Sequence, residues 1–162
     1  MSDTFELRGN TLEAEGTEHS WRKSELEDSF ISLYDTGVQN LFRLLASGSL
    51  HPKDVSVLLA FIYFTNWKTG RCKCTIDAVG KKLGRSRSNL YQSIKRLKQA
   101  GLMVTVKFEA TGERVNLMSP YLLRVGGPRS RGYVKTLYDK AISDKPEGNT
   151  LEVEDETLDL EP

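Results

Sequence analysis

Apolar positions along the chain change period several times, and each change marks an element. Phe30, Ile31, Leu33 and Tyr34 form a short β-prone run that Asp35-Thr36-Gly37 should end as a turn. From Val38 the spacing becomes helical, with Val38, Leu41, Phe42 and Leu45 at i, i+3, i+4 and i+7. Gly48 closes that helix. Pro52 suits the first turn of the next, where no amide hydrogen bond is lost. The second helix should run to about Asn66. It carries Val55, Leu58, Leu59, Phe61, Ile62, Tyr63 and Phe64 on nearly every side, the pattern of a central buried helix. Lys68-Thr69-Gly70 reads as a turn, and Arg71 to Cys74 as a short strand.

Thr75 is a good N-cap, and Asp77 suits the first turn of the helix it opens. Ile76, Val79 and Leu83 form one face before Gly84 stops the helix. Ser86 is placed to cap a further helix in which Leu90, Ile94 and Leu97 recur at i, i+4 and i+7, ended by Gly101. Leu102–Phe108 is then a β run, Thr111-Gly112 a turn, and Arg114–Met118 the returning strand. Residues 120–125 cross back, and Gly126-Gly127-Pro128 breaks the chain. Tyr133, Val134, Leu137, Tyr138 and Ala141 mark a last amphipathic helix over residues 128–143. These elements predict a mainly α, α+β fold with a small antiparallel sheet and flanking helices. The main domain spans residues 29–127. Residues 1–28 read as an acidic, mobile arm, with Trp21 as the one large ring able to dock on the domain. Residues 144–162 read as an acidic disordered tail.

Charge sharpens this division. The net charge of +1 conceals three unlike segments. Residues 1–28 hold three basic and eight acidic side chains, residues 29–143 nineteen and six, and residues 144–162 one and eight. A strongly basic middle between acidic ends points to a polyanionic partner. The longest apolar stretch, Val57–Phe64, falls far short of the ~20 residues that cross a bilayer. With no basic-then-apolar leader pattern at the N-terminus, cytoplasmic residence and no membrane partner are expected. Cys72 and Cys74 are separated by one residue. Such positions do not easily close an unstrained disulfide. A zinc site needs about four ligands, so the two read as ordinary thiols of a strand.

The stretch from Thr75 to Gly101 reads as helix, tight turn, helix. Gly80 and Ser93 are small where the two helices should approach, and Val79, Leu83, Leu90, Ile94 and Leu97 supply the apolar contact. A hairpin follows at once. No acidic residue lies between Asp77 and Glu109, whereas Lys81, Lys82, Arg85, Arg87, Lys95, Arg96, Lys98 and Lys107 do. A helix built for packing or solubility alone usually carries some Glu in i, i+4 pairs. Arginine can bind guanine in a bidentate manner, and Asn or Gln can bind adenine. Arg87, Ser88, Tyr91 and Gln92, with Asn89 beside them, are therefore the candidates for base reading. Lys81, Lys82, Arg85, Lys95 and Arg96 are candidates for phosphate contacts, which position a protein without reading sequence. Lys107 and Arg114 flank the hairpin tip and are placed to reach a groove or the backbone.

On Leu83-Gly84, Ser86-Arg87-Ser88-Asn89-Leu90, Ile94-Lys95-Arg96-Leu97 and Ala100-Gly101-Leu102, residues 75–118 resemble the winged helix-turn-helix superfamily, including regulators of the MarR type. More broadly, residues 29–127 look like RepL-type replication initiators of small plasmids and related phage proteins. There the leading strand, the buried helix and the closing segment would correspond to Phe30–Tyr34, Pro52–Asn66 and Asn116–Tyr121. The pattern departs at Arg85, where an apolar residue is usual. The resemblance implies a recognition helix in the major groove of double-stranded DNA, with the hairpin as wing.

Three functions follow as expectations: a sequence-specific transcriptional regulator first, a replication initiator binding an origin second, and a winged-helix protein-interaction module third. A homodimer through the first and last helices is expected, with Tyr133, Leu137 and Tyr138 at the interface. The chain offers no Gly-rich phosphate loop, no Cys/His metal set and no Ser/His/Asp motif, so neither an enzyme nor a cofactor is expected.

Overall fold

A two-residue strand, β1 (Ser32–Leu33), leads directly into helix α1 (Asp35–Ala46). The computed structural model describes residues 32–145, 148 and 150–153. The arm over residues 1–28 with Trp21, the residues Phe30 and Ile31, and residues 154–162 of the tail lie outside the described residues. Asp35-Thr36-Gly37 forms the first turn of α1 and not a free turn. Gly37 serves close approach there: a Cβ would sit 2.6 Å from the Leu122 Cα and 2.7 Å from the Tyr121 carbonyl oxygen.

Helix α2 (Pro52–Tyr63) starts on a capping box in which the His51 amide donates to Asp54 Oδ2 at 2.9 Å. Its inner side buries Val57, Leu58, Ala60 and Phe61. It is not buried all round, since Leu59 is 55% and Tyr63 64% exposed. The segment after the Lys68–Gly70 turn makes only an isolated bridge at Cys72, to Thr65 on one side and Asn116 on the other, in place of the predicted strand.

Thr75 caps α3 (Ile76–Leu83), its Oγ1 accepting the Ala78 amide at 3.1 Å, and Gly84 ends the helix in the left-handed conformation. Helix α4 (Arg87–Gln99) begins after Ser86, but the Ser86 hydroxyl makes no cap bond and lies 3.5 Å from the Ser88 hydroxyl. Helices α2, α3 and α4 pack on one another.

The hairpin of β2 (Met103–Phe108) and β3 (Arg114–Met118) is antiparallel, with Met103 opposite Met118 and Lys107 opposite Arg114. β1 pairs antiparallel with β4 (Leu123–Arg124). Helix α5 (Pro128–Asp144) lies against β2, burying Val134, Leu137, Tyr138 and Ala141 with Val104, Val106, Phe108, Val115 and Leu117. This corrects the expected dimer surface: Leu137 and Tyr138 belong to the chain's own core, and the Tyr138 hydroxyl donates to the Gly101 carbonyl at the end of α4.

The tail also departs from expectation. Leu151–Val153 forms β5, parallel to β2, with Val106 opposite Leu151, Lys107 opposite Glu152 and Phe108 opposite Val153. Leu151 and Val153 are buried in the α5–sheet core, which holds this piece of an acidic segment in place. The fold is α+β, mainly helical, as the periodicities predict, and the hairpin's β2 edge is covered by a parallel strand. Among the described residues, no helix is long and apolar enough to cross a membrane.

Candidate nucleic-acid interface

The geometry of α4 follows from its apolar spacing. Leu90, Ser93, Ile94 and Leu97 are buried, so the opposite side faces outward. That side carries Arg87, Ser88, Asn89, Tyr91, Gln92 and Lys95, all exposed, with Tyr91 51% exposed. The turn before it is tight because Gly80 permits it. A Cβ at Gly80 would lie 2.9 Å from the Arg85 carbonyl oxygen and 3.2 Å from Leu90 Cδ1.

Two of the predicted phosphate contacts, Arg85 and Arg96, are engaged within the fold. Arg85 donates to the Lys53 carbonyl at 2.9 Å, to the Asn89 carbonyl at 3.3 Å and to Ser93 Oγ at 3.1 Å. These bonds tie the turn to α2 and α4. Arg96 grips Asp54 through both ends of its fork, Nε to Oδ2 at 2.7 Å and Nη2 to Oδ1 at 2.8 Å. Asp54 is wholly buried. Burial would raise its pKa, but the hydrogen bonds from Arg96, the His51 amide and Ser93 outweigh it and hold the carboxyl down at about 2. The same pairing raises Arg96. Charge alone points both arginines outward, but a buried acceptor, Ser93 for Arg85 and Asp54 for Arg96, turns each inward.

Arg87 stays outward. Its Nη2 lies 3.0 Å from Asp77 Oδ2, with the two side chains 59% and 71% exposed. A pair so open to water contributes little, so exchanging it for a phosphate or a base costs little. Lys81 and Lys82 are exposed at the end of α3, and the Lys82 ammonium sits 4.2 Å above the Tyr63 ring.

On the hairpin, Lys107 of the middle strand is half-buried, between Arg114 of β3 and Glu152 of β5, and Arg114 is exposed. Lys98, at the end of α4, joins this group unforeseen. Burial lowers its pKa, and the nearby Arg114 charge lowers it further. It occurs in the acid-free run, which was its only signal in the sequence. Lys73 holds Glu113 at the hairpin turn at 2.6 Å.

The outward set that remains is Arg87, Ser88, Asn89, Tyr91, Gln92 and Lys95 on α4, Lys81 and Lys82 on α3, and Lys107 and Arg114 on the hairpin. The described residues contain no group of three or more His, Cys, Asp or Glu side chains able to hold a metal ion. Comparison of the chain with protein-family models, with curated proteins and with solved structures finds no match.

Proposed function

We propose that this chain binds double-stranded DNA with sequence preference, α4 lying in the major groove and the β2–β3 hairpin acting as the wing, and that it regulates transcription. One observation carries the reading: the exposed side of α4 presents Arg87, Ser88, Asn89, Tyr91, Gln92 and Lys95 and no carboxylate. The major groove admits a helix and displays a distinct donor and acceptor pattern for each base pair. Arg87, Asn89 and Gln92 are side chains able to read that pattern, with Ser88 and Tyr91 beside them. Lys81, Lys82 and Lys95 neutralise phosphates. A homodimer over two half-sites belongs to the same proposal; α1, whose Phe42 is 65% exposed, is the surface left for it.

Selection of bound sequences from a random duplex pool at physiological salt tests the proposal. An enriched motif is the expected result, together with affinity that falls linearly on a logarithmic salt scale. Absence of salt-dependent binding to any duplex would leave a protein-interaction module. Footprints over several promoters would support regulation, and footprints confined to one repeated origin site would support replication initiation.

A further inference from the structure

Alternate residues of an extended segment point to the same side. Cys72 and Cys74 do so, with their sulfurs 3.3 Å apart, while Lys73 between them reaches the other way to Glu113. Cys72 is buried and Cys74 half-buried, so only Cys74 can be met from solution. The Cys72 backbone is clamped to Asn116 through both its groups: its amide donates to the Asn116 carbonyl at 3.0 Å, and its carbonyl accepts the Asn116 amide at 2.8 Å. Cys74 is followed directly by Thr75, the cap of α3.

We propose that Cys72 and Cys74 are a reversible disulfide site, oxidised by exchange with a low-molecular-weight disulfide, and that closure of the bond acts on the start of α3. The Cys74 thiol passes its proton to the neighbouring Cys72 thiolate as its sulfur attacks one sulfur of the incoming disulfide, forming a mixed disulfide and releasing one thiolate, which is protonated by water. The Cys72 sulfur then attacks the Cys74 sulfur and releases the second thiol. Counted from the fully protonated pair, the protein gives up two protons and two electrons, and the incoming disulfide becomes two thiols. The hydrogen bond from the Cys74 thiol lowers Cys72 to about 7, and the same shared proton raises Cys74. Near pH 7 a fraction of the pairs therefore carries a Cys72 thiolate hydrogen-bonded to the Cys74 thiol, so Cys72 stands as the base that takes the Cys74 proton when Cys74 attacks.

Closure must bring the sulfurs from 3.3 Å to about 2.05 Å. With Cys72 clamped, the movement falls on Cys74 and Thr75, and so on the cap bond to Ala78. A ring this short is strained, and strained disulfides are the easily reduced ones.

The test exposes the full chain to graded ratios of oxidised to reduced glutathione near neutral pH, followed by alkylation and tryptic mapping. Trypsin cuts after Arg71 and Lys73, so an internal disulfide joins the Cys72-Lys73 dipeptide to the peptide that begins at Cys74. We expect both thiols to disappear together, the joined peptides to appear, and excess reduced glutathione to reverse them. Cys72→Ser should stop at a glutathione adduct on Cys74, and Cys74→Ser should leave Cys72 unreacted. Amide exchange at Ala78 should rise several-fold on oxidation. A stable glutathione adduct on the unmodified chain, a disulfide between two chains, or two thiols surviving the most oxidising ratio would overturn the site. Unchanged exchange at Ala78 would overturn its action on α3. The peptide map of the unmodified chain decides the first point even where a serine variant fails to fold.

Discussion

Replacing Arg96 by Met separates a structural arginine from a DNA-contacting one. Asp54 is wholly buried, and the Arg96 fork supplies two of its hydrogen bonds, at 2.7 and 2.8 Å. Met preserves most of the aliphatic packing but leaves a carboxylate stranded in the interior. Breaking a buried pair from the cationic side costs about 3–5 kcal/mol. A second measure comes from Asp54 itself. Its fall from 3.8 to about 2 means that the fold prefers the anion over the acid by about 2 kcal/mol after the burial penalty has been met. In the variant Asp54 can escape by taking up a proton, which limits the damage to the lower end of the range, about 3 kcal/mol. The opposite change, Asp54→Asn, should cost less, about 1–2 kcal/mol. The Arg96 side chain is 24% exposed and can turn to water, while Asp54 cannot.

Urea unfolding followed by far-ultraviolet circular dichroism measures both losses, and a salt titration of duplex binding is run on the folded variant alongside. The expected signature is a large stability loss with an unchanged salt slope. An Arg96→Met protein that loses less than about 1 kcal/mol, and whose salt slope falls by about 0.9, the value for one phosphate, would refute the structural assignment. It would restore Arg96 to the set proposed to contact DNA.

Other outcomes follow from the same geometry. Asp54 has a depressed folded pKa, so its contribution is intact above about pH 4 and is lost as pH falls towards about 2; acid titration of the Asp54→Asn variant should lack that part of the transition. Arg87→Ala should leave the unfolding midpoint nearly unchanged, because its Asp77 partner is exposed. It should cost about 1–3 kcal/mol on the preferred duplex and relax selectivity at one base position, whereas equal loss on every sequence would make it a phosphate contact. Gly80→Val should destabilise by about 1–3 kcal/mol, since even a Cβ meets the Arg85 carbonyl at 2.9 Å; a neutral result in thermal melts would contradict the tight helix crossing. Leu151→Ala should cost about 2 kcal/mol in urea titrations, because Leu151 is buried in the α5–sheet core, and no loss would mean β5 is not docked.

Most helices and the hairpin were legible because their signals are local. Apolar spacing marked α2, α4 and α5, and Thr75, Gly84 and Gly101 marked helix ends without help from distant residues. The failures are non-local. Asp35-Thr36-Gly37 has turn composition, but Gly37 is small because Tyr121 and Leu122 press against α1. Leu151-Glu152-Val153 does alternate, yet three residues in an acidic segment carry too weak a pattern to oppose the charge around them; the exposed edge of β2 selects them. Leu137 and Tyr138 read equally well as a dimer stripe or as a core stripe, and only the sheet beneath α5 decides between the two. The same holds at the candidate interface. Arg96 is indistinguishable in sequence from Arg87 until Asp54 is seen to face it, while Arg85, standing where an apolar residue is usual, carries a hint of an inward side chain that Ser93 and the Lys53 carbonyl make plain.

That distinction says how the outward side of α4 is set. Apolar burial of Leu90, Ile94 and Leu97 fixes which side of the helix faces in, but greasy contact alone tolerates rotation by a fraction of a turn and sliding along the axis. A bidentate ion pair does not, because two hydrogen bonds at fixed angles must be met together. Arg96 on Asp54 anchors the C-terminal half of α4 to the first turn of α2. Arg85, bonded to Lys53 one residue before Asp54 and to Ser93, anchors the turn that precedes α4 to the same place. Both anchors converge on the start of α2, so α4 is held near both ends against one helix. On this account the exposed residues between them, Ser88, Tyr91, Gln92 and Lys95, keep their relative positions without contributing to the core, and they can be substituted freely to change what is bound. Substitution of Asp54, Arg85 or Arg96 should instead blur selectivity at several base positions at once, by letting the whole helix shift.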